Sequence, residues 1–401
     1  MNEVFSTRSE GIQESATLRL TAKVRELKKA GKDVISYGAG EPHFDPPAFL
    51  YNAVRKALSN DYAKYTPVLG LPEVRDVISS WVNRVYKLNT QASWIALTNG
   101  AKGALHAVFQ VLLNPGDEVV FQSPYWVSYP PMVRISGGVS RVIPTYAGQR
   151  FRITPEQLKK SLTPKTKIFL FNSPQNPTGI AYSQEEINAL AEVLKAYPNV
   201  WVLSDDIYDH ILWDLSKRAH FAFSPKFDMG RLIHVQGLSK SHAVTGWREG
   251  YVCAPPHVIQ KINVVMGHAL GHISAIHQYV MQVAYSESFD FLKSWVAYYQ
   301  NNMQRALPIL QKIGAKTVVP EGAFYLFPEV THLYKPLSKK FGIPINDDFI
   351  LCETLLDRLQ VGWVPGVEFG LPGYVRLTTA MTAERFQEGL LRVQHVLATA
   401  P

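Results

Sequence analysis

The middle of this chain constrains its fold more than any other part. Short apolar runs alternate there with helix-like stretches. Glu118-Val119-Val120-Phe121, Lys167-Ile168-Phe169-Leu170-Phe171, Val200 to Leu203 and Leu232 to Val235 read as buried strands. Just before the first of these, Ala104 to Leu113 puts Leu105, Val108, Phe109 and Leu112 on one helical face. Asn114-Pro115-Gly116-Asp117 then stops that helix. A second helix spans about Ser183 to Ala196, with Ser183 as N-cap and Glu186 completing a capping box. Apolar strands separated by helices predict an α/β fold with a mostly parallel central sheet, covered by helices on both faces.

The C-terminal part differs. From about Ser288 a long helix pattern runs through Leu310. Ala323-Phe324-Tyr325-Leu326-Phe327, a helix around Phe349 to Leu359, a strand at Tyr374 to Leu377 and a helix from Ala383 to Leu397 follow. This predicts a smaller α+β domain at 288–401 beside a large domain at 51–287. The N-terminal segment 1–50, with a helix at Leu18 to Ala30, is expected to pack on the small domain. No Gly/Ser-rich linker separates the parts, so they share an interface, and such interfaces commonly form ligand clefts.

Composition narrows the function. With 46% hydrophobic and 18% charged residues, the chain is too apolar for intrinsic disorder. Its 41 Lys and Arg against 33 Asp and Glu give +8, but pairs such as Lys28–Lys29, Lys159–Lys160 and Lys339–Lys340 are scattered. A solvated basic surface, compatible with small anionic substrates, is expected rather than a nucleic-acid partner. Two cysteines, Cys253 and Cys352, exclude a disulfide scaffold and a thiolate-rich metal site, so no metal is expected. Met1 to Leu20 carries Glu3, Arg8, Glu10, Glu14 and Arg19 and has no apolar signal-peptide core. No apolar stretch approaches ~18 uninterrupted residues. A cytoplasmic protein without a membrane partner is expected.

Four loops follow strands of the predicted sheet. The C-terminal ends of parallel strands meet at one crevice, so these loops belong together. Thr98-Asn99-Gly100-Ala101-Lys102-Gly103 opens a helix, where free N–H groups attract a phosphate. Alone, a plain strand-to-helix turn explains it as well. Asn172-Ser173-Pro174-Gln175-Asn176-Pro177-Thr178-Gly179 holds Asn176 rigidly, with an amide able to donate to a phenolate or carboxylate; Asn-Pro is a bond at which cis peptides occur. Ser204-Asp205-Asp206-Ile207-Tyr208 ends a buried strand in a carboxylate, which is costly unless Asp205 meets a partner such as a protonated ring nitrogen. The fourth loop runs Gln236-Gly237-Leu238-Ser239-Lys240-Ser241-His242-Ala243-Val244-Thr245-Gly246-Trp247-Arg248-Glu249-Gly250-Tyr251. A buried lysine that loses its proton is a nucleophile for an aldehyde, and Arg248 offers a fork for a phosphate.

This last string resembles the lysine signature of the class I/II aminotransferases, fold-type I enzymes that use pyridoxal 5′-phosphate. The resemblance covers nearly the whole chain, in family order. It includes Gly38-Ala39-Gly40-Glu41-Pro42, Tyr65-Thr66-Pro67-Val68-Leu69-Gly70, Asn114-Pro115-Gly116-Asp117 and Pro124-Tyr125-Trp126-Val127-Ser128-Tyr129. Asn176-Pro177-Thr178-Gly179, Asp205 with Tyr208, Gly322-Ala323-Phe324-Tyr325 and Val375-Arg376-Leu377 continue it. It is closest to bacterial aspartate-aminotransferase-like members. The resemblance implies that Lys240 forms the Schiff base and shuttles the substrate proton. It implies that Asp205 holds the ring nitrogen, Tyr208 and Asn176 the ring oxygen, and that Trp126 stacks on the ring. Gly100, Ala101, Lys102, Ser239 and Arg248 would surround the phosphate, joined by Tyr65 of a neighbouring subunit in a homodimer with shared active sites. Arg376, with Gly40 and Asn176, would bind the substrate α-carboxylate. The implied reaction is ping-pong transfer of an amino group from an amino acid to a 2-oxo acid. The same fold and cofactor also run elimination, replacement and cyclisation.

Three positions depart from the family pattern. Gly237 stands where some relatives have a phosphate-binding serine. Asp206 stands where glutamate is usual, at a position expected not to touch the cofactor. His43 stands where aspartate is common, and is a candidate substrate-binding residue. His268, His272 and His277 lie where aspartate-specific relatives place an arginine for the distal carboxylate. No arginine occurs between Arg248 and Arg305. A dicarboxylate substrate therefore requires Lys102 or a residue of another chain, and the histidines are candidates for a different side chain or for acid–base work.

Overall fold

The computed structural model describes Ser6, residues 9–12, 16–60 and 62–398. Glu3, Arg8 and Glu14 of the charged N-terminal stretch lie outside the described residues.

Seven strands form the central sheet, in the order Ile95–Asn99, Glu249–Cys253, Leu232–Gly237, Trp201–Asp205, Thr166–Asn172, Glu118–Ser123 and Val139–Pro144. Six run in one direction. Glu249–Cys253 runs against both of its neighbours. The pleat sends alternate residues to opposite faces. Ile168 and Leu170 pack under one set of helices, Phe169 and Phe171 under the other. Gly100–Leu112 and Pro256–Ala269 cover the first face. Pro72–Tyr86, Ala275–Ser286 and Gln184–Leu194 cover the second. The capping box at Ser183 and Glu186 is present as predicted. Val139–Pro144 and the antiparallel Glu249–Cys253 were not legible as strands. The first is a largely exposed edge, and the second lies inside the lysine motif.

A three-stranded antiparallel sheet, Val364–Pro365, Val375–Thr378 and Tyr325–Leu326, stands apart from this one. A second small pair joins Ile35–Ser36 to Val361–Gly362. The helix Ala16–Lys29 shares a core with the C-terminal helices. Leu20 and Val24 cluster with Leu351, Leu355, Phe386 and Leu390.

Several boundaries moved, two of them in the C-terminal part. The long helix begins at Leu292, not Ser288, because Ser288 Oγ donates to Asp290 Oδ2 at 2.6 Å and ties off a local turn. Only Tyr325–Leu326 of the Ala323–Phe327 run joins a ladder. Ala323 sits at φ +55°, and its N–H donates to Ile211 O at 2.7 Å. That bond fastens the small sheet to the loop carrying Tyr208.

Candidate active site

The strands that run together end at Asn99, Ser123, Asn172, Asp205 and Gly237, and a cavity of about 510 Å³ opens beside these ends. Lys102, Lys240, Arg248 and Arg376 line it with a single carboxylate, Asp205. Trp126, Tyr129, Asn176, Tyr208 and Tyr325 supply aromatic and polar walls, and Gly38 and Gly40 close one side.

Lys240 lies in the short helix Leu238–Ser241 directly after the strand Leu232–Gly237. Its Nζ donates to Gly40 O at 2.5 Å. Burial disfavours the ammonium and lowers its pKa to about 8, so a neutral amine is accessible near physiological pH.

Asp205 is 4% exposed. Tyr129 Oη donates to its Oδ2 at 2.7 Å, while Oδ1 is buried with no hydrogen-bond partner among the described residues. Burial raises its carboxyl to about 6, against the opposing pull of the Tyr129 bond. A buried acceptor left free is costly unless a donor arrives.

The next residue behaves oppositely. Asp206 is turned away from the cavity, where His220 Nε2 and His234 Nδ1 both meet its Oδ2, at 3.0 and 2.6 Å, and Ser204 Oγ donates to Oδ1 at 2.8 Å. Burial alone would raise this carboxyl, but the two histidines hold it well below the usual range. The three side chains are close enough to grip a metal ion. However, His220 Nδ1 accepts the Ala222 N–H at 3.1 Å, so Nε2 carries the hydrogen and has no lone pair for a metal. The set closes on itself through hydrogen bonds.

The phosphate side is shaped by glycine. The helix starts at Gly100, four residues before the predicted Ala104, so Gly100, Ala101 and Lys102 form its first turn, and Asn99 makes no side-chain cap. Its leading N–H groups are open to an anion. Gly100 has φ +71°, and a Cβ there would stand 2.5 Å from Arg248 Nη2. The guanidinium of Arg248 is braced by Thr245 O at 2.8 Å. Ser239 lines the same end. Immediately after Arg248, Glu249 is fully buried with both carboxylate oxygens partnerless among the described residues, and burial pushes it up to about 8.

At the opposite end, Arg376 donates from Nη1 to Asn176 Oδ1 at 3.1 Å and from Nη2 to Gly38 O at 2.8 Å. Its Nε is buried without a partner. The guanidinium lies 4.7 Å from the Tyr325 ring centre, which fixes its plane. Because Asn176 spends its oxygen on Arg376, its Nδ2 remains as a donor. Tyr208 and Tyr325 share a 2.7 Å bond between their hydroxyls.

Of the remaining predicted residues, Trp126 lines the cavity, with Lys102 Nζ 4.8 Å from its ring centre. Tyr65 is 97% exposed and meets the edge of His272. His43 stacks on Tyr298 at 5.6 Å and donates its backbone N–H to Tyr299 Oη. His272 accepts the Thr66 N–H, and His277 stacks on Trp247. None of His43, His268, His272 and His277 is among the residues lining this cavity. Sequence reading gave no role to Tyr129 or Tyr325, although both stood inside quoted motifs. The spacing of Tyr129, three residues after Trp126, was the available signal.

These residues fit pyridoxal 5′-phosphate. The free Asp205 oxygen suits a protonated ring nitrogen, the glycine-lined helix start with Arg248 suits a phosphate, and a lysine poised to deprotonate suits an aldehyde. The comparisons agree. The chain matches the family described as aminotransferase class I and II over residues 32–393. It is 38% identical over 385 residues to an aspartate aminotransferase of Geobacillus stearothermophilus, covering 96% of each chain. It is 36% identical to an aspartate/prephenate aminotransferase of Cereibacter sphaeroides, again covering 96% of each. Among solved structures, the aspartate aminotransferase of Rhizobium meliloti superposes with a TM-score of 0.91 at 35% identity, covering 98% of both chains. That of Thermus thermophilus with maleate superposes at 0.90 and 35%, covering 98% of this chain and 99% of that one. With cofactor chemistry, fold and sequence in agreement, the chain belongs to the class I and II aminotransferases, as a fold-type I, pyridoxal-phosphate-dependent enzyme that moves an amino group from an amino acid to a 2-oxo acid.

Proposed function

We propose that the amino donor is a dicarboxylic amino acid of the aspartate type, and that Lys102 binds its distal carboxylate. The supporting observation is the position of Lys102. It is a half-buried cation facing the cavity, with no carboxylate partner among the described residues. Arg248 serves the phosphate and Arg376 the α-carboxylate, which leaves Lys102 as the cation without an anion. The aspartate aminotransferases among the relatives point the same way.

The geometry of the cavity supports the remaining roles. The cofactor supplies an electron sink for the pair left behind when the Cα–H bond breaks. Asp205 keeps the ring nitrogen protonated. Lys240, buried in the cavity with its ammonium disfavoured, would accept the Cα proton and pass it on to the cofactor. Tyr208 and the free Nδ2 of Asn176 donate to the ring oxygen. Trp126 covers the ring face and excludes water. Ser239, Arg248 and the Gly100–Lys102 turn anchor the phosphate. Arg376 and Gly40 orient the α-carboxylate, which sets the Cα–H bond toward Lys240.

The active unit is a homodimer in which Tyr65, too exposed to serve its own cavity, completes the phosphate site of the neighbour. Residues 51–287 form the cofactor-binding domain, and 288–401 with the 1–50 segment form the smaller one; the core shared by Leu20, Val24 and the C-terminal helices supports that grouping.

The test is a panel of amino donors on wild type and Lys102→Met. Aspartate and glutamate should be the best wild-type donors. Lys102→Met should lower kcat/KM for them by about 30-fold, as for a charged hydrogen bond of roughly 2 kcal/mol, and leave an apolar donor within about threefold. Equal losses for both classes would overturn the assignment.

A further inference from the structure

Asp205 presents two carboxylate oxygens with different surroundings. Oδ2 accepts the Tyr129 hydroxyl, and Oδ1 has no partner among the described residues. Tyr129 is 2% exposed and opens the helix Tyr129–Ile135. Two edge-to-face contacts hold its ring, from Phe121 at 5.9 Å and Trp126 at 5.4 Å. Its position is therefore set by packing, independently of the carboxylate it touches. A carboxyl group rotates about its last bond unless something fixes it. Asn172 Nδ2 holds the backbone oxygen of Asp205 at 2.7 Å, which fixes the main chain and not the carboxylate.

We propose that Tyr129 is the positioning residue that aims Asp205, donating to Oδ2 so that Oδ1 is reserved for the protonated ring nitrogen of the cofactor. This rests on the cofactor reading above. The donor is a neutral hydroxyl, which leaves the negative charge on Asp205 to be met by the ring. A cation at this place would neutralise the carboxylate and weaken its hold on the ring proton. A phenol buried beside an anion resists ionisation, and burial first, then Asp205, pushes Tyr129 well above its ordinary range. Tyr129 thus stays a donor throughout the working pH range. The other titratable groups bearing on Asp205 are Lys240 and Tyr208 at the cavity and Asp206 behind the strand.

The test compares Tyr129→Phe and Tyr129→Gln with the wild type, each loaded with pyridoxal 5′-phosphate. The readouts are the pH titration of the bound cofactor's visible absorbance, the kcat of the donor half-reaction, and the Kd of succinate as a non-reacting dicarboxylate. Without the donor the carboxylate is free to turn, and a misaimed Asp205 holds the ring proton less well. A less electron-withdrawing ring makes the lysine-linked nitrogen less acidic. The titration midpoint in Tyr129→Phe should move up by about one pH unit and kcat should fall about tenfold, the equivalent of one pKa unit. The succinate Kd should stay within about twofold. Tyr129→Gln restores a neutral donor and should bring both values most of the way back. A wild-type titration and kcat in Tyr129→Phe would overturn the proposal. Were Tyr129→Phe not to fold, Tyr129→Gln decides alone: near-wild-type values support the donor role, and a tenfold loss with an upward shift overturns it. Failure of the wild type itself to develop a visible cofactor band would instead remove the underlying cofactor reading.

Discussion

Lys240 and Glu249 stand nine residues apart, and burial acts on both, with opposite consequences. For Lys240 it is useful. Only the neutral amine attacks an aldehyde, so capture of pyridoxal 5′-phosphate by the apoprotein should accelerate with pH and level off above about 8, well below the 10.5 of an ordinary lysine. Stopped-flow absorbance checks this. Lys240→Ala should abolish turnover while leaving the fold and some cofactor binding intact, as read by circular dichroism and equilibrium dialysis. Glu249 gains nothing from burial. Its folded pKa of about 8 lies above the ordinary 4.5, so the folded chain keeps a proton that the unfolded chain releases. Its contribution to stability is complete below about pH 4.5 and is lost as pH rises toward 8. Glu249→Leu should therefore stabilise the protein by about 1–3 kcal/mol near neutral pH, the cost of a buried polar group without a partner, and flatten that pH slope. Urea titrations at pH 5 and pH 8 would show it. Residue-level chemistry was only partly legible in the sequence. Lys240 and Asp205 announced themselves because a charged group in a buried loop demands a partner, Arg248 as a fork for a phosphate, and Arg376 through the family resemblance alone. The hydroxyls of Tyr129 and Tyr325 did not, because a tyrosine among aromatics is satisfied by packing alone.

At the scale of elements, the strand-to-helix turn at Gly100 carries most of the proposed phosphate site. Its positive φ calls for glycine, and a Cβ there would stand 2.5 Å from Arg248 Nη2, so the guanidinium would have to move. Gly100→Ala should weaken cofactor binding about tenfold or more, by pushing the guanidinium aside, while shifting the melting temperature by only a few degrees. Cofactor release measured by fluorescence tests this. The buried strands Glu118–Ser123, Thr166–Asn172, Trp201–Asp205 and Leu232–Gly237 were found, because continuous apolar runs between helices have few other solutions. Val139–Pro144 escaped because an edge strand with exposed alternate residues loses the apolar signature. The helix start was placed four residues late, since Gly100 and Gly103 break the periodicity that marks a helix while serving its function.

For the whole molecule, the cavity gathers residues from Gly38 to Arg376, so it exists only when both sheets are in place. The alternation of strands and helices predicted the central sheet. The distances across the cavity were beyond it, because they depend on how the N-terminal segment and the small sheet close over the strand ends. Among the described residues, no helix is long and apolar enough to cross a membrane. Tyr65 makes the dimer testable. Mixed Lys240→Ala and Tyr65→Ala chains should recover about a quarter of wild-type activity, since half the dimers are hybrids and each hybrid carries one intact site. No recovery on mixing would place Tyr65 outside the neighbouring site.

Asp205 and Asp206 also bear on how this enzyme can change. They are chemically identical neighbours, and the pleat gives them opposite fates: one is left short of a donor toward the cavity, the other saturated by two histidines behind the sheet. Their identities are therefore carried by parity and not by side-chain type. A single-residue insertion or deletion in Trp201–Asp205 would exchange the two without altering composition. Drift along this strand is confined to substitutions, and loop grafts that preserve its length are the ones an engineer could make without disturbing the reaction centre.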